Sequence, residues 1–344
     1  PETAATVPLR VVGELTPVDP ALPFRLSVRH PLLDLAAEGG VTARSGQATL
    51  ILPDLAALAA PNGVDLAGSA RFDLDAAAGG RPQLDATGEL ALTRAPGARP
   101  ELVQGLLGPA ARIGLSVRRE GDAWRVASAQ VEGARIKVAA QGRIAGDALA
   151  LGWTLDLTDL SVLAPGWSGR LAARGDVTGD LAAPELVADL ALDAGHLDAG
   201  RGRVTGRLGA RLAEPGGSLD LRGDWAGQPV AINLQAGRSK DGGLDLSFGD
   251  SRWASVKASG SLRLPPGATL PQGTVRFSAE RLADLDLLIA PWVGPASGPR
   301  LAGRLSADLT LTDAGMALIE AEGKGLKLPG PVEIGTLALS ARVT

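Results

Sequence analysis

Few side chains in this sequence are of the types that perform acid–base or nucleophilic chemistry. The 344 residues include two histidines, His30 and His196, and no cysteine. The two histidines lie too far apart in sequence to suggest a catalytic or metal cluster, and we interpret both as surface or turn residues. Gly166-Trp167-Ser168-Gly169 lacks the spacer of a nucleophile elbow and has no histidine close by. The sequence therefore predicts a protein that is not an enzyme.

Two further patterns could be taken for ligand sites. The glycines at 200, 202 and 206 are spaced one residue too widely for a dinucleotide fingerprint, and the residues after them alternate like a strand. Asp73 and Asp75 belong to no calcium-binding loop, and alternate residues of a strand point to the same side. We interpret these aspartates as part of a solvated face and predict no cofactor and no metal.

Composition narrows the class of protein and its partners. With 45% hydrophobic residues the chain is too apolar to be disordered, but only 3% are aromatic, so Leu, Val and Ala must form the core. A net charge of −4 argues against nucleic acid as a partner. The chain begins at Pro1 and has no run of about 20 apolar residues that could span a membrane. We interpret it as a fragment whose parent carries any membrane anchor elsewhere.

Period-two alternation dominates the sequence and predicts antiparallel strands with one dry face. Between residues 301 and 312, odd positions are apolar or Gly and even positions are polar apart from Ala302. Turn signals recur at the spacing of all-β chains, which suggests roughly 30 strands. Asp241-Gly242 and Gly146-Asp147 fall between alternating runs and predict tight hairpins in a meander.

The apolar positions of these runs are candidate lining residues of one dry surface. They are Ile136, Val138, Leu149, Leu151, Trp153, Leu155, Leu157, Leu219, Leu221, Trp225, Val230, Ile232, Leu234, Leu244, Leu246, Phe248, Leu301, Leu305, Leu309 and Leu311.

Four short Leu-rich segments break the alternation and predict helices of one to three turns, at residues 54–60, 101–107, 159–164 and 281–290. Three of them form an internal repeat, in which Asp54-Leu55, Asp159-Leu160 and Asp284-Leu285 each precede a second Leu and a Pro. A strand that begins near a Gly follows each copy. We therefore predict one elongated β-repeat array over residues 1–344, with approximate modules 1–98, 99–215 and 216–344.

The ordered series of glycine-punctuated strands resembles the TamB family of bacterial translocation and assembly module subunits, within the AsmA-like group of bridge-like lipid transfer proteins. The segments that carry this resemblance are LVQGLLGP at 102–109, WRV at 124–126, VEGA at 131–134, QGRI at 141–144, LDLTDL at 155–160 and SGRL at 168–171.

The resemblance implies a β-taco, a long antiparallel sheet folded into a U with an apolar groove. It also implies a periplasmic protein whose parent is anchored in the bacterial inner membrane. The implied partners are phospholipid and, through regions outside this fragment, an outer-membrane Omp85-type barrel protein. The expected function is a non-enzymatic bridge or scaffold that carries acyl chains between the two membranes and supports outer-membrane biogenesis.

Alternation alone leaves open whether the dry faces close into a sandwich or form an open groove. Two other functions therefore stand beside the lipid bridge. One is a chaperone-like holder of outer-membrane protein strands for barrel assembly, acting by β-augmentation. The other is a plain structural β-sandwich stalk.

Overall fold

The computed structural model describes residues 8–60, 65–95, 99–197, 200–213, 216–268, 270–285, 301–312, 317–327 and 333–343. Strands make up 70% of the chain and helices 7%, against about 20–25% strand in an average globular protein. The strands form a single antiparallel sheet of 21 strands that is not closed into a barrel. The predicted all-β class with a few short helices is confirmed, and the sheet is consistent with a β-taco.

The strands are short at the N-terminus and longer near the middle of the chain. In chain order they are β1 (Arg10–Leu15), β2 (Pro23–His30), β3 (Leu33–Gly40), β4 (Ser45–Leu52), β5 (Ala67–Ala77), β6 (Gln83–Arg94), β7 (Ala111–Glu120), β8 (Ala123–Glu132), β9 (Ile136–Ala145), β10 (Ala148–Leu157), β11 (Trp167–Asp180), β12 (Ala183–His196), β13 (Gly200–Arg211), β14 (Gly217–Trp225), β15 (Gln228–Arg238), β16 (Leu244–Trp253), β17 (Val256–Leu264), β18 (Gln272–Ala279), β19 (Ala302–Leu311), β20 (Ala317–Lys327) and β21 (Glu333–Val343).

Contacts divide the chain into two compact units. Unit 1 comprises Pro1–Leu163 with Asp176–Leu181, and unit 2 comprises Ala164–Gly175 with Ala182–Thr344. Within unit 1, β1 to β10 pair successively as an antiparallel meander, and β12 to β21 do the same within unit 2. Residues of β11 fall in both units. The three predicted modules stay a prediction.

The hairpin predictions hold, but the strand number does not. Gly146-Asp147 joins β9 to β10, and Asp241-Gly242 lies in the turn between β15 and β16. The expectation of about 30 strands is wrong, because it assumed one strand for each 8–12 residues. Several strands are longer than that spacing allows, and β11 and β12 have 14 residues each.

Helical segments connect strands at four points. Two are α-helices, α1 (Leu55–Ala59) after β4 and α2 (Pro100–Leu107) after β6. The predicted helix at 159–164 is a single 3-10 turn, Leu160–Val162, and the one at 281–290 starts with the 3-10 turn Leu282–Asp284. Its residues beyond 285 lie outside the described part of the chain. All four segments follow even-numbered strands.

The first two copies of the internal repeat begin with the same cap. Asp54 and Asp159 each accept a hydrogen bond at 2.9 Å from the backbone N–H two residues on, and the leucine that follows each of them is buried. The third copy, which begins at Asp284-Leu285, lies outside the described residues beyond residue 285 and stays a prediction. Just before it, Leu282 is buried in the 3-10 turn Leu282–Asp284.

Both hydrophobic clusters of buried residues lie at the strand ends where even-numbered strands finish, which we call the capped end of each unit. In unit 1, Leu55 of α1 and Val103 of α2 pack there with Leu92 of β6. In unit 2, Leu282 packs there with Trp253 of β16. We call the opposite strand ends, where even-numbered strands begin, the open end.

Glycines inside strands allow close approach of neighbouring backbones. Gly142 of β9 has φ +154°, and a Cβ added there would lie 2.0 Å from the carbonyl oxygen of Ala150. Gly260 of β17 has φ +155°, and its Cβ would lie 2.2 Å from the carbonyl oxygen of Thr274. Such positions let a strand bend, and no other residue fits them without displacing backbone.

We predict that Gly142→Ala lowers the free energy of unfolding by about 1–3 kcal/mol, because the methyl group collides with backbone and φ is unfavourable for alanine. Gly152→Ala in the paired strand β10 is the control, since its Cβ would meet nothing closer than 3.6 Å. Denaturant unfolding of the two variants checks this. Equal stability of both would show that the backbone at Gly142 relaxes freely.

Candidate functional site

One side of the unit 1 sheet is apolar from its first strand to its last. Directly paired residues in antiparallel strands point to the same side, so the register defines complete cross-strand rows. One row crosses all ten strands and contains nine apolar residues and one glycine. It consists of Val11, Val28, Leu35, Leu50, Phe72, Gly88, Ile113, Val131, Val138 and Leu155.

Unit 2 carries an equivalent row across β12 to β21. It consists of Ala188, Leu208, Leu219, Leu234, Phe248, Gly260, Val275, Leu309, Ile319 and Ala341. We call the side of each unit that bears its row the apolar face, and the other side the polar face.

The register places the candidate lining residues on these apolar faces. Seven of them, from Ile136 to Leu157, share the unit 1 face in paired positions of β9 and β10. The remaining candidates lie in unit 2, where Leu221 pairs with Ile232 and Leu246 with Leu262. Leu301 precedes β19 and packs against the capped-end cluster. Their role in binding a ligand stays a prediction.

Most of the candidate side chains are partly exposed to solvent. Of the twenty candidates, Leu157 is buried, Ile232 is 39% exposed, and the others are half-buried. The apolar faces therefore remain accessible to a molecule that could cover them.

Sequence reasoning missed the contributions of β1 to β8 and of β12, β13, β17, β18, β20 and β21. Leu26, Leu35 and Leu50 belong to the same face as the predicted residues. The signal was present in β2 and in β12, where apolar residues alternate cleanly. In β3 and β4 it is diluted, because residues such as Ala37 and Ala48 occupy apolar-face positions.

Charged side chains on the polar face form cross-strand ladders. The row adjacent to the apolar row of unit 1 has a charged residue in nine of its ten positions. It consists of Arg10, Arg29, Asp34, Ile51, Arg71, Glu89, Arg112, Glu132, Lys137 and Asp156. From Arg71 onward the signs alternate strictly, and opposite charges in directly opposed positions stabilise that register.

Ion pairs on the polar face of unit 2 also join oppositely charged residues of neighbouring strands. Asp189 lies between Arg174 and Arg207, at 3.9 and 3.5 Å, and the Arg203–Asp193 pair measures 3.0 Å. All five side chains are more than half exposed. Each exposed pair therefore contributes about 0–1 kcal/mol, so their main effect is on register rather than stability.

The residues considered for chemistry occupy structural positions. The Nδ1 atom of His30 accepts a hydrogen bond from the N–H of Leu32 in the β2–β3 turn, at 3.2 Å. His196 lies edge-on to Trp167, with ring centroids 5.4 Å apart. Ser168 donates its hydroxyl to the carbonyl oxygen of Gly195 at 3.3 Å, and Asp73 accepts from the Thr49 hydroxyl at 2.7 Å. The described residues include no group of three side chains suited to hold a metal ion.

Each unit has a depression at its open end. The one in unit 1, of about 720 Å³, is lined mainly by polar-face residues such as Glu14, Arg25 and Asp75. The one in unit 2, of about 440 Å³, combines Leu186 and Ala236 of the apolar face with Arg238 and several glycines. Both depressions include residues of the apolar face, Phe24 and Ala76 in unit 1 and Leu186 and Ala236 in unit 2.

No family model, curated protein or solved structure matches this chain. The resemblance to the TamB family therefore stays a prediction based on the segments given above. Among the residues placed by the structure, no helix has the length and hydropathy needed to cross a bilayer.

The β15–β16 hairpin contains the carboxyl group most perturbed by its neighbours. Hydrogen bonds from Ser239 and Arg263 hold the pKa of Asp241 at about 2, below its usual value of 3.8. A lowered folded-state pKa adds stability above the unfolded pKa, and that stability is lost as pH falls from about 4 through 2.

We predict that Asp241→Asn lowers the melting temperature at pH 7 and that its difference from the unmodified protein shrinks between pH 4 and pH 2. Asn-Gly is also a favourable hairpin turn, so the substitution tests the charge rather than the turn. Thermal melts of both proteins across this pH range measure the effect. A difference that stays constant with pH would mean that the Asp241 charge does not stabilise the fold.

Proposed function

We propose that the apolar faces bind lipid acyl chains and that the protein acts as a non-enzymatic bridge or scaffold for lipid. The observation that carries this proposal is the pair of ten-strand rows of apolar residues and glycine, in which most side chains are half-buried. An accessible apolar surface of this extent has an energetic cost in water unless something covers it. Acyl chains are chemically suited to cover it because they require no hydrogen-bonding partner.

The energetics favour many weak, similar contacts over one specific site. Each methylene removed from water contributes about 0.8 kcal/mol, so ten methylenes give about 8 kcal/mol. Leu, Val and Ile occur along both rows, and neighbouring positions offer nearly equivalent environments. A chain could therefore move from strand to strand without crossing a large barrier, and such movement needs no catalytic residue.

The cellular setting in this proposal comes from the resemblance to the TamB family. On that basis the protein works in the periplasm, its parent is anchored in the inner membrane, and an Omp85-type barrel protein receives it at the outer membrane. The lipid is then phospholipid, and the process that it supports is outer-membrane biogenesis.

A specific observation favours a chaperone-like holder as the second candidate. All six residues of β1 are exposed, including Val11 at 56%, and within the described residues β1 pairs only with β2. An edge of this kind can accept an added strand by β-augmentation. The half-buried apolar faces fit a plain sandwich stalk less well, since a sandwich would bury them.

We predict that Leu309→Asp lowers the amount of bound lipid while the protein stays folded. Leu309 is half-buried between Val275 and Ile319, so its carboxylate can remain hydrated in the absence of lipid. We expect the free energy of unfolding to fall by about 1–2 kcal/mol, less than the cost of a fully buried carboxylate. Thr310→Asp is the control, because it puts the same charge on the polar face of the same strand.

Melting temperature and co-purified lipid are measured on the same samples, the lipid by mass spectrometry. Loss of lipid in Leu309→Asp with lipid retained in Thr310→Asp supports the acyl-chain surface. Collapse of the fold in Leu309→Asp alone would indicate a closed sandwich. A stable Leu309→Asp protein with undiminished lipid would contradict the proposal.

A further inference from the structure

Each unit places an arginine on its apolar face at the open end of the strands. In unit 1, Arg119 of β7 pairs with Trp124 of β8. In unit 2, Arg238 of β15 pairs with Leu244 of β16. Both arginines occupy positions where strand alternation would otherwise give an apolar residue, since Val117 and Ala236 precede them on the same face.

The guanidinium group of Arg238 is not committed to a carboxylate. It lies over the β15–β16 turn, where a Cβ added to Gly242 would be 3.7 Å from its Nη2 atom. The carboxylate of the same turn, Asp241, is instead engaged by Ser239 and Arg263. No acidic side chain of the described residues lies within ion-pair distance of Arg238.

Arg238 lines the open-end depression of unit 2, whose floor is partly backbone of Gly216, Gly217 and Gly237. The second arginine of this depression, Arg211, pairs with Glu185 at 3.5 Å. The rest of the lining comes from both faces, with Leu186, Ala210 and Ala236 of the apolar face and Glu185 and Ser218 of the polar face. The depression thus joins an apolar surface to a cation that is free to bind an anion.

Arg119 lies at the corresponding edge of the apolar face of unit 1 and, unlike Arg238, is within ion-pair distance of a carboxylate. Its Nε atom donates to the carbonyl oxygen of Gly121 at 3.0 Å, and its Nη2 atom is 3.9 Å from the exposed carboxylate of Asp122. Its partner Trp124 is 44% exposed on the apolar face. A tryptophan beside an arginine at the edge of an apolar surface resembles the side-chain arrangement at a membrane–water boundary.

The two ends of each apolar face differ in a way that orients a bound lipid. Leu55 and Val103 fill the capped end of unit 1, and Trp253 and Leu282 fill that of unit 2. From Arg238 to Val230 the path along β15 is about 26 Å, longer than the roughly 15 Å of hydrocarbon in one bilayer leaflet. An acyl chain therefore fits between the two ends, with its polar head at the open end.

We propose that Arg119 and Arg238 bind the phosphate of a lipid headgroup, so that the protein selects diacyl lipids with a phosphate over uncharged diacyl lipids. The guanidinium group is suited to this because it donates two parallel hydrogen bonds to phosphate oxygens. This inference rests on the proposed acyl-chain surface and adds the residues that bind the phosphate and the orientation of the lipid on each apolar face.

The test loads the delipidated protein from micelles of dioleoylphosphatidylglycerol or dioleoylglycerol, which share acyl chains and differ in the phosphate headgroup. Bound lipid is quantified by mass spectrometry. We expect the unmodified protein to prefer the phospholipid by about tenfold, and the double variant Arg119→Gln with Arg238→Gln to lose that preference while still binding dioleoylglycerol. Arg276→Gln is the control, since Arg276 is ion-paired with Asp308 on the polar face at 2.8 Å.

Melting temperatures check that each variant is folded. If the glutamine double variant is unstable, the double variant Arg119→Lys with Arg238→Lys replaces it. Lysine keeps the charge but loses the two parallel hydrogen bonds, so we expect a partial loss of the preference for phospholipid. An unmodified protein that binds both lipids equally would overturn the headgroup proposal and leave the acyl-chain surface intact. A preference that survives in the folded double variant would also overturn it. If the unmodified protein binds neither lipid, the proposed function itself fails.

Discussion

Strand register is the constraint on which the rest of this structure depends. A slip of one residue in a single strand would turn its leucines and valines to the polar face and its charges to the apolar face. The alternating charges from Arg71 to Asp156 oppose such a slip, because it would place like charges or apolar groups opposite each other. Exposed ion pairs that add little stability thus have a defined structural effect, since they keep two ten-strand apolar rows continuous.

The composition explains why these rows do not close into a dense core. Large aromatic side chains supply most of the packing volume in ordinary cores, and they make up 3% of this chain. Alanine and glycine occupy many apolar-face positions instead, and of the 17 buried apolar residues in the described part of the chain eight are alanine. Large buried side chains such as Leu55, Trp253 and Leu282 cluster at the capped ends, so tight packing is concentrated there and much of each face stays accessible.

The sequence predicted the class of fold and the parity of the faces well, because period-two alternation is a local property. Leu219 and Leu234 could be assigned to one face without knowing that they pair, and the structure pairs them directly. What could not be predicted depends on non-local contacts or on departures from the pattern. Leu282 is buried and Leu285 is only partly buried, and the sequence does not distinguish the two leucines. The number of strands depends on where turns form, and the sequence offers more possible turns than the structure uses. Arg238 was missed because the candidate residues were chosen for being apolar, and Arg238 is a charged residue that lies on the same face of β15 as Leu234 and Ala236.

A surface of this kind links ligand occupancy to stability. Lipid that covers the apolar faces binds the folded sheet and not the unfolded chain, so it shifts the folding equilibrium in proportion to the logarithm of its concentration. The capped ends, with Leu55, Leu282 and Trp253 already buried, gain little from such cover, whereas half-buried residues such as Leu309 gain most. In the proposed function, stability and lipid loading therefore depend on the same residues. Half-buried faces would then allow lipid to exchange, since each contact released costs about as much as the next one gained.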